Sequence, residues 1–128
     1  MSFIHLRTAS AYSLKYGTTQ PRDLVARASE FEMPALALTD RDGLAGAIRF
    51  TKACVSHGVA PILGVNLPIH LPSLSGGDTS GTLPRLTLLA HSDGGWRSLV
   101  RLMTGLHMNV DDRKPILTLE IGRASCRE

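Results

Sequence analysis

Short, unbroken apolar runs of strand length alternate in this chain with segments whose apolar residues recur every three or four positions. The runs are Ala35-Leu36-Ala37-Leu38-Thr39, Pro61-Ile62-Leu63-Gly64-Val65 and Leu86-Thr87-Leu88-Leu89-Ala90. That pattern suits strands covered on both faces. The helical stripes between them are Leu24, Val25, Ala28 and Phe31, then Leu44, Ala47, Ile48, Thr51, Cys54 and Val55, then Trp96, Leu99, Val100, Met103 and Leu106. Thr19 or Gln20 is placed to cap the first helix, where Pro21 fits the first turn, and Pro34 ends it. Asp42 is the expected N-cap of the second helix and Gly58 its stop. Phe3-Ile4-His5-Leu6 reads as a further short strand before a polar turn around Gly17. The run at Pro61 is open to extension towards Leu71, Ser73 to Gly81 reads as a flexible loop, and Pro115 to Leu119 as the start of a fifth strand.

Strand–helix alternation of this kind predicts an α/β fold, with about four to five parallel strands and flanking helices. Right-handed crossovers build such units into an open doubly wound sheet or a closed barrel, and four or five strands are about half of an eight-stranded barrel. With 128 residues the chain is one domain. Its apolar fraction of 43% and charged fraction of 20% are globular. No apolar run approaches the roughly 20 residues that span a bilayer, and no signal-peptide pattern opens the chain, so cytoplasmic location without a membrane partner is expected. Fourteen Lys and Arg against 11 Asp and Glu give a net charge of +3, which neither demands nor excludes nucleic acid. Two cysteines, Cys54 and Cys126, without a CxxC, speak against a disulfide scaffold or zinc knuckle. Cys54 lies on the second helical stripe and reads as a small buried hydrophobe.

Residues Ile121 to Glu128, IGRASCRE, break the local pattern. The codons ATC GGA AGA GCG TCG TGT AGG GAA encode them without mismatch and read like a sequencing-library adapter. The expectation is therefore a native segment of residues 1–120 and a non-native tail over 121–128.

Sites in parallel α/β folds gather at the carboxyl ends of strands. Here those ends are His5-Leu6-Arg7-Thr8-Ala9-Ser10, Thr39-Asp40-Arg41-Asp42, Gly64-Val65-Asn66 and His91-Ser92-Asp93. A metal site would draw on His5, Asp40, Asp42, His91 and Asp93, but Arg7 and Arg41 interrupt the set and repel a dication. Capping for Asp42, an ion pair for Asp40 and plain strand-end polarity for His5 and His91 are the simpler readings. The glycines Gly76, Gly77 and Gly81 lack a following Lys-Ser or Lys-Thr, so they do not form a phosphate-cradling loop. Arg85, Arg97 and Arg101 read as a solvated basic face, and Met33, Met103 and Met108 as packing residues.

Three ordered elements, HLRTASAYS, MPALALTDRDGLAGAIRF and GVAPILGVNL, followed by RLTLLAHSDGGWRSLVRLM, resemble the N-terminal PHP (polymerase and histidinol phosphatase) domain of bacterial DNA polymerase III alpha subunits. The resemblance covers residues 3 to about 120 and is nearest the actinobacterial, error-prone branch. It implies a distorted (β/α) barrel, of which this chain is a part, with metal ligands at the strand ends. The family's HxH positions fall on Arg7 and Ala9, its TDHD motif on Asp40 and Arg41, and its GxE carboxylate on Asn66; of these only Asp40 is competent as a ligand. No catalytic, cofactor or metal residue is therefore expected, with His5 and His91 as weak metal candidates. The resemblance further implies a parent DNA-directed DNA polymerase in replication or error-prone repair, whose magnesium-dependent palm domain is absent from this sequence. The module is left with a structural or docking role, its partners being the rest of the alpha subunit, DNA and deoxynucleotides through the parent, and a proofreading exonuclease. The competing readings are a phosphoesterase with a rearranged ligand set of His5, Asp40, His91 and Asp93, and a free-standing binding domain.

Overall fold

The computed structural model describes residues 3–71, 82–108 and 115–118. Six elements follow in order: α1 (Pro21–Glu30), β1 (Ala35–Arg41), α2 (Ala47–His57), β2 (Ala60–Pro68), β3 (Arg85–Leu89) and α3 (Asp93–Met108). The expected loop at Ser73 to Gly81 and the tail over 121–128 lie outside the described residues.

β1 and β2 pair in parallel, from Ala35 opposite Ala60 to Arg41 opposite Asn66, with α2 as their crossover. β3 departs from expectation. It runs antiparallel to β2, with Leu89 opposite Gly64 and Arg85 opposite Pro68. The described sheet is thus three-stranded and mixed, in the order β1-β2-β3, and not a run of four to five parallel strands. A parallel neighbour needs a crossover of a dozen or more residues, usually a helix. The sequence between Pro68 and Arg85 is rich in Ser, Gly and Pro and carries no helical stripe.

The segment at Phe3 to Leu6 is exposed and irregular, not a strand. It still runs along β1: Ala37 donates its N–H to the His5 carbonyl and Thr39 to that of Thr8. Between these two bonds the segment advances three residues while β1 advances two, and that extra residue spoils regular pairing. At the far end, among the described residues of the expected fifth strand, Leu117 alone pairs, in a parallel bridge to Ile69 beyond the end of β1.

Side-chain alternation sorts the sheet into two faces. Leu36 and Leu38 of β1 pack with Val25, Ala28, Phe50, Ala53, Cys54 and Val59, beneath α1 and α2. Val65 and Leu67 of β2 lie on that same face and pack with Leu99, Leu102, Met103 and Leu106 of α3. All three helices therefore cover one face. The other carries Ala35, Ala37, Thr39 and Arg41 of β1 beside Gly64 and Asn66 of β2.

The helix ends differ from expectation in instructive ways. Gln20 occupies the N-cap of α1 but makes no side-chain cap, and Phe31, expected on the buried stripe, is 61% exposed. It lies past the last turn, where the Arg27 guanidinium packs over its ring. Gly46, not Asp42, is the N-cap of α2. Because the helix starts later, its buried face is Ala47, Phe50, Ala53 and Cys54, and it leaves Ile48 and Val55 exposed. Gly58 does stop α2, at φ 68°, donating its N–H to the Cys54 carbonyl in the left-handed cap that glycine adopts without strain. Met108 and Val100 of α3 are exposed rather than packed. Among the described residues no helix is long and apolar enough to cross a membrane.

Candidate functional site

Asp40, near the end of β1, is buried at a relative exposure of 2%. Its Oδ1 accepts hydrogen bonds from the Ser10 backbone N–H at 2.6 Å and the Ser13 hydroxyl at 2.7 Å, and its Oδ2 accepts from the Ser10 hydroxyl at 2.7 Å. Ser10 and Ser13 are themselves fully buried. The turn that carries them closes tightly, since the Tyr16 and Gly17 N–H groups both donate to the Ser13 carbonyl. Only glycine fits at 17, because a Cβ there would lie 1.9 Å from the Ser10 carbonyl oxygen. Among the described residues Asp40 makes no ion pair with an arginine; hydroxyls and one amide hold it instead. Alternation also turns Asp40 to the helix-covered side of β1, beside Leu38 and the N-terminal end of α2.

Thr39 and Arg41, its neighbours in sequence, point the other way. They line a cavity of about 280 Å³ together with Arg7, Thr8, Ala9, Tyr16 and Asn66. Four of the five positions that the family pattern assigns to metal ligands, Arg7, Ala9, Arg41 and Asn66, thus converge on one space, and Asp40 is the one that does not line it. The Arg41 guanidinium lies over the Tyr16 ring, 3.3 Å from its centroid. Thr8 is pinned to β1 by its N–H to the Thr39 hydroxyl and by its own hydroxyl to the Ala37 carbonyl.

Asn66 is buried and oriented by β3. Its Oδ1 accepts from Arg85 Nε at 2.5 Å, and its Nδ2 donates to the Thr87 hydroxyl at 3.0 Å. Arg85 also donates to the Asn66 carbonyl at 2.8 Å and to Asp42 Oδ1 at 2.6 Å. Far from being part of a solvated basic face, its side chain is only 19% exposed and clamps two strand ends. Asp42, expected as a helix cap, sits at φ 62° and is spent on this ion pair. Arg85, Ser10, Ser13 and Tyr16 are the site residues that pattern reasoning passed over.

The remaining candidates do not join this group. His5 is exposed, edge-on to Phe3, and its backbone is level with Ala37 rather than with the end of β1. Because β3 is antiparallel, its carboxyl end returns to the opposite end of the sheet, where the Ala90 N–H meets the Leu63 carbonyl. His91 and Asp93 follow there, exposed. The set His5, Asp40, His91 and Asp93 is therefore spread over both ends of the sheet. Among the described residues no group of three or more His, Cys, Asp or Glu could hold a metal ion. The cavity's own lining does not fit one either: its two guanidiniums repel a cation, the Asn66 carboxamide oxygen already accepts from Arg85, the Thr8 and Thr39 hydroxyls are engaged between the two segments, and no carboxylate or imidazole stands among its described lining residues. Cys54 is fully buried on α2, where burial pushes its thiol up to about 11.

The family model for the PHP domain matches residues 5–125. An error-prone DNA polymerase from Symbiobacterium thermophilum is 39% identical over 113 residues, covering 88% of this chain and 9% of that protein. The error-prone DNA polymerase of Cutibacterium acnes is 35% identical over 112 residues, covering 88% and 10%. The DNA polymerase III subunit alpha of Bacillus subtilis is 36% identical over 106 residues, covering 83% and 9%. The chain thus spans about a tenth of the length of the curated relatives it matches. Among solved structures, a sulfate-bound, metal-free amidohydrolase from Chromobacterium violaceum aligns with TM-score 0.60 at 19% identity, over 82% of this chain and 33% of that one. A protein from Bifidobacterium adolescentis assigned as a metal-dependent phosphoesterase aligns with TM-score 0.50 at 20% identity, over 98% and 43%. Both likenesses concern the fold.

Proposed function

The chain belongs to the PHP domain family, and we propose that it acts as the N-terminal module of a DNA polymerase III alpha subunit of the error-prone type, with a structural or docking role instead of hydrolytic chemistry. The lining of the cavity carries this reading. Arg7, Ala9, Arg41 and Asn66, which fall at the family's metal-ligand positions by resemblance, line the cavity together, and the nearby carboxylate of Asp40 is engaged by three donors on the far side of β1. A metal-dependent phosphoesterase cannot be assembled from that set.

In this proposal nucleotidyl transfer on DNA and deoxynucleotides belongs to a magnesium-dependent palm domain elsewhere in the cytoplasmic parent protein. The rest of the alpha subunit is the module's first partner, and a proofreading exonuclease a second. That the three helices share one sheet face supports a distorted barrel, with the cavity opening on its inner side, over an open sheet wound on both faces.

Two measurements test the reading. Sequencing the gene past codon 120 should reveal a palm domain with clustered aspartates; a short frame without one overturns the polymerase assignment. Elemental analysis of the dialysed full-length protein should find no zinc or manganese attributable to this module. About one tightly held ion per chain that Arg41→Ala leaves in place and Asp40→Ala removes would restore a metal site and overturn the structural role.

A further inference from the structure

Among the described residues the cavity beside β1 is lined by two guanidiniums and by no carboxylate. Among the described residues the ion pairs are Arg22 with Asp23, Arg27 with Glu30, and Arg85 with Asp42, and neither Arg7 nor Arg41 has an acidic partner among them. The two nearest acids in sequence are spoken for. Asp42 is taken by Arg85, which reaches it from β3, and Asp40 faces away, closed off by Ser10 and Ser13. Two like charges sharing one concave space, without a counter-charge, create a focused positive potential that an anion relieves.

The local geometry sharpens the demand. Stacking on Tyr16 fixes the plane of the Arg41 guanidinium and leaves its edge N–H groups to point past the ring. Asn66 is held with its carboxamide oxygen on Arg85, so its amino group is the end left for the cavity, with one N–H committed to Thr87 and one spare. Ala9 contributes only a methyl group and leaves the space open. The free polar groups offered by Arg7, Arg41 and Asn66 are thus all donors, which suits a ligand made of acceptors alone.

We propose that this cavity is a metal-free anion site, in which Arg7 and Arg41 hold a phosphate-type oxyanion where hydrolytic relatives hold cations. A terminal phosphate carries close to two negative charges at neutral pH, matching two guanidiniums, and its oxygens accept the paired N–H groups of an arginine fork. The inference rests on the reading that the metal positions have lost metal, and it adds the ligand class that replaces it.

The test is titration of the full-length protein with inorganic phosphate in the presence of a chelator, followed by calorimetry or by phosphorus NMR. Saturable binding of one phosphate is expected. Arg7→Gln and Arg41→Gln should each weaken it about tenfold or more, and Arg7→Lys, which keeps the charge but not the fork, should fall between. Arg7 is exposed, so its variants should fold normally, and unchanged hydrogen exchange along β1 checks this. A second arm uses a dinucleotide with and without a 5′-phosphate. Tighter binding of the phosphorylated form than of free phosphate identifies a DNA end as the source; equal binding identifies the free ion. Absence of saturable binding in a metal-free sample, or binding that Arg7→Gln leaves unchanged, overturns the anion site while the structural role stands. Binding that requires manganese and vanishes with chelator overturns both.

Discussion

Removing the Asp40 carboxylate should loosen the turn at Ser10 to Gly17 by an amount that follows from its hydrogen bonds. Asp40 serves three buried donors, the Ser10 amide and the Ser10 and Ser13 hydroxyls. Ser13 in turn accepts the Arg41 N–H at 2.9 Å, and Ser10 accepts the Tyr12 N–H at 3.2 Å, so the carboxylate anchors a network and not a single contact. A hydrogen bond to a charged group is worth about 1.5–3 kcal/mol net, and a buried donor left unpaired costs about 1–3 kcal/mol. Asp40→Ala leaves three such donors around a small void. Allowing the hydroxyls to rotate towards other acceptors, the expected local loss is about 3–6 kcal/mol, a large share of the roughly 5–15 kcal/mol that holds a typical domain together. Asp40→Asn keeps the shape and the Oδ1 acceptor, and only the Ser10 hydroxyl must find a new role, so its loss should be about 1–3 kcal/mol. Hydrogen exchange in the full-length protein, read on peptides spanning residues 8–17, reports this directly. Protection of the Ser10 amide should fall at least about a hundredfold in Asp40→Ala and clearly less in Asp40→Asn. Unchanged protection in Asp40→Ala would refute the view that this carboxylate is a structural anchor.

Gly17→Ala forces a methyl group against the Ser10 carbonyl and should cost about 1–3 kcal/mol or more, read as the same loss of protection over residues 8–17. Arg85→Ala strips Asn66 and Asp42 of their shared clamp and should loosen the ends of β2 and β3 by about 1–3 kcal/mol, with Arg85→Lys recovering little because an ammonium presents no fork; exchange at residues 64–68 measures it. Cys54, with its thiol pushed to about 11 by burial, should resist alkylation at pH 8 until the domain opens, and reaction at the rate of a free thiol would contradict its burial. Since its folded value lies above the ordinary 9.0, its contribution to stability is complete below pH 9 and is lost as pH rises towards 11, which denaturation midpoints across that window would reveal.

Much of the fold was legible because burial writes itself into period. The runs at Ala35 and Pro61 became β1 and β2 with only small shifts of boundary, and the Gly58 stop fell where its backbone conformation demands glycine. What pattern could not supply was phase and direction. A stripe that starts at Leu44 is rotated from the true buried face, because the helix begins at Ala47 and turns Phe50, which is fully buried, into the core. Phe31 fits the α1 spacing yet lies one residue beyond its last turn. The five residues Arg85-Leu86-Thr87-Leu88-Leu89 do not say which way β3 points, and the direction is set by a connection whose composition favours a return over a crossover.

That one reversal decides which residues reach the site. Had β3 been parallel, its carboxyl end would bring His91 and Asp93 beside Asp40, and a mixed His/Asp cluster would be a reasonable expectation. Reversed, it delivers its amino end, and Arg85 arrives at Asn66 in their place. Alternation then splits what the sequence presents as one cluster: in Thr39-Asp40-Arg41, the outer two side chains enter the cavity and the carboxylate goes to the helix side. Strand direction and side-chain parity together make the chamber positive where a reading of adjacent residues would make it mixed. The contrast between a site that repels cations and one that gathers them thus rests on the placement of a few side chains across a single strand, with Arg85 neutralising Asp42 so that the charges of Arg7 and Arg41 remain unspent.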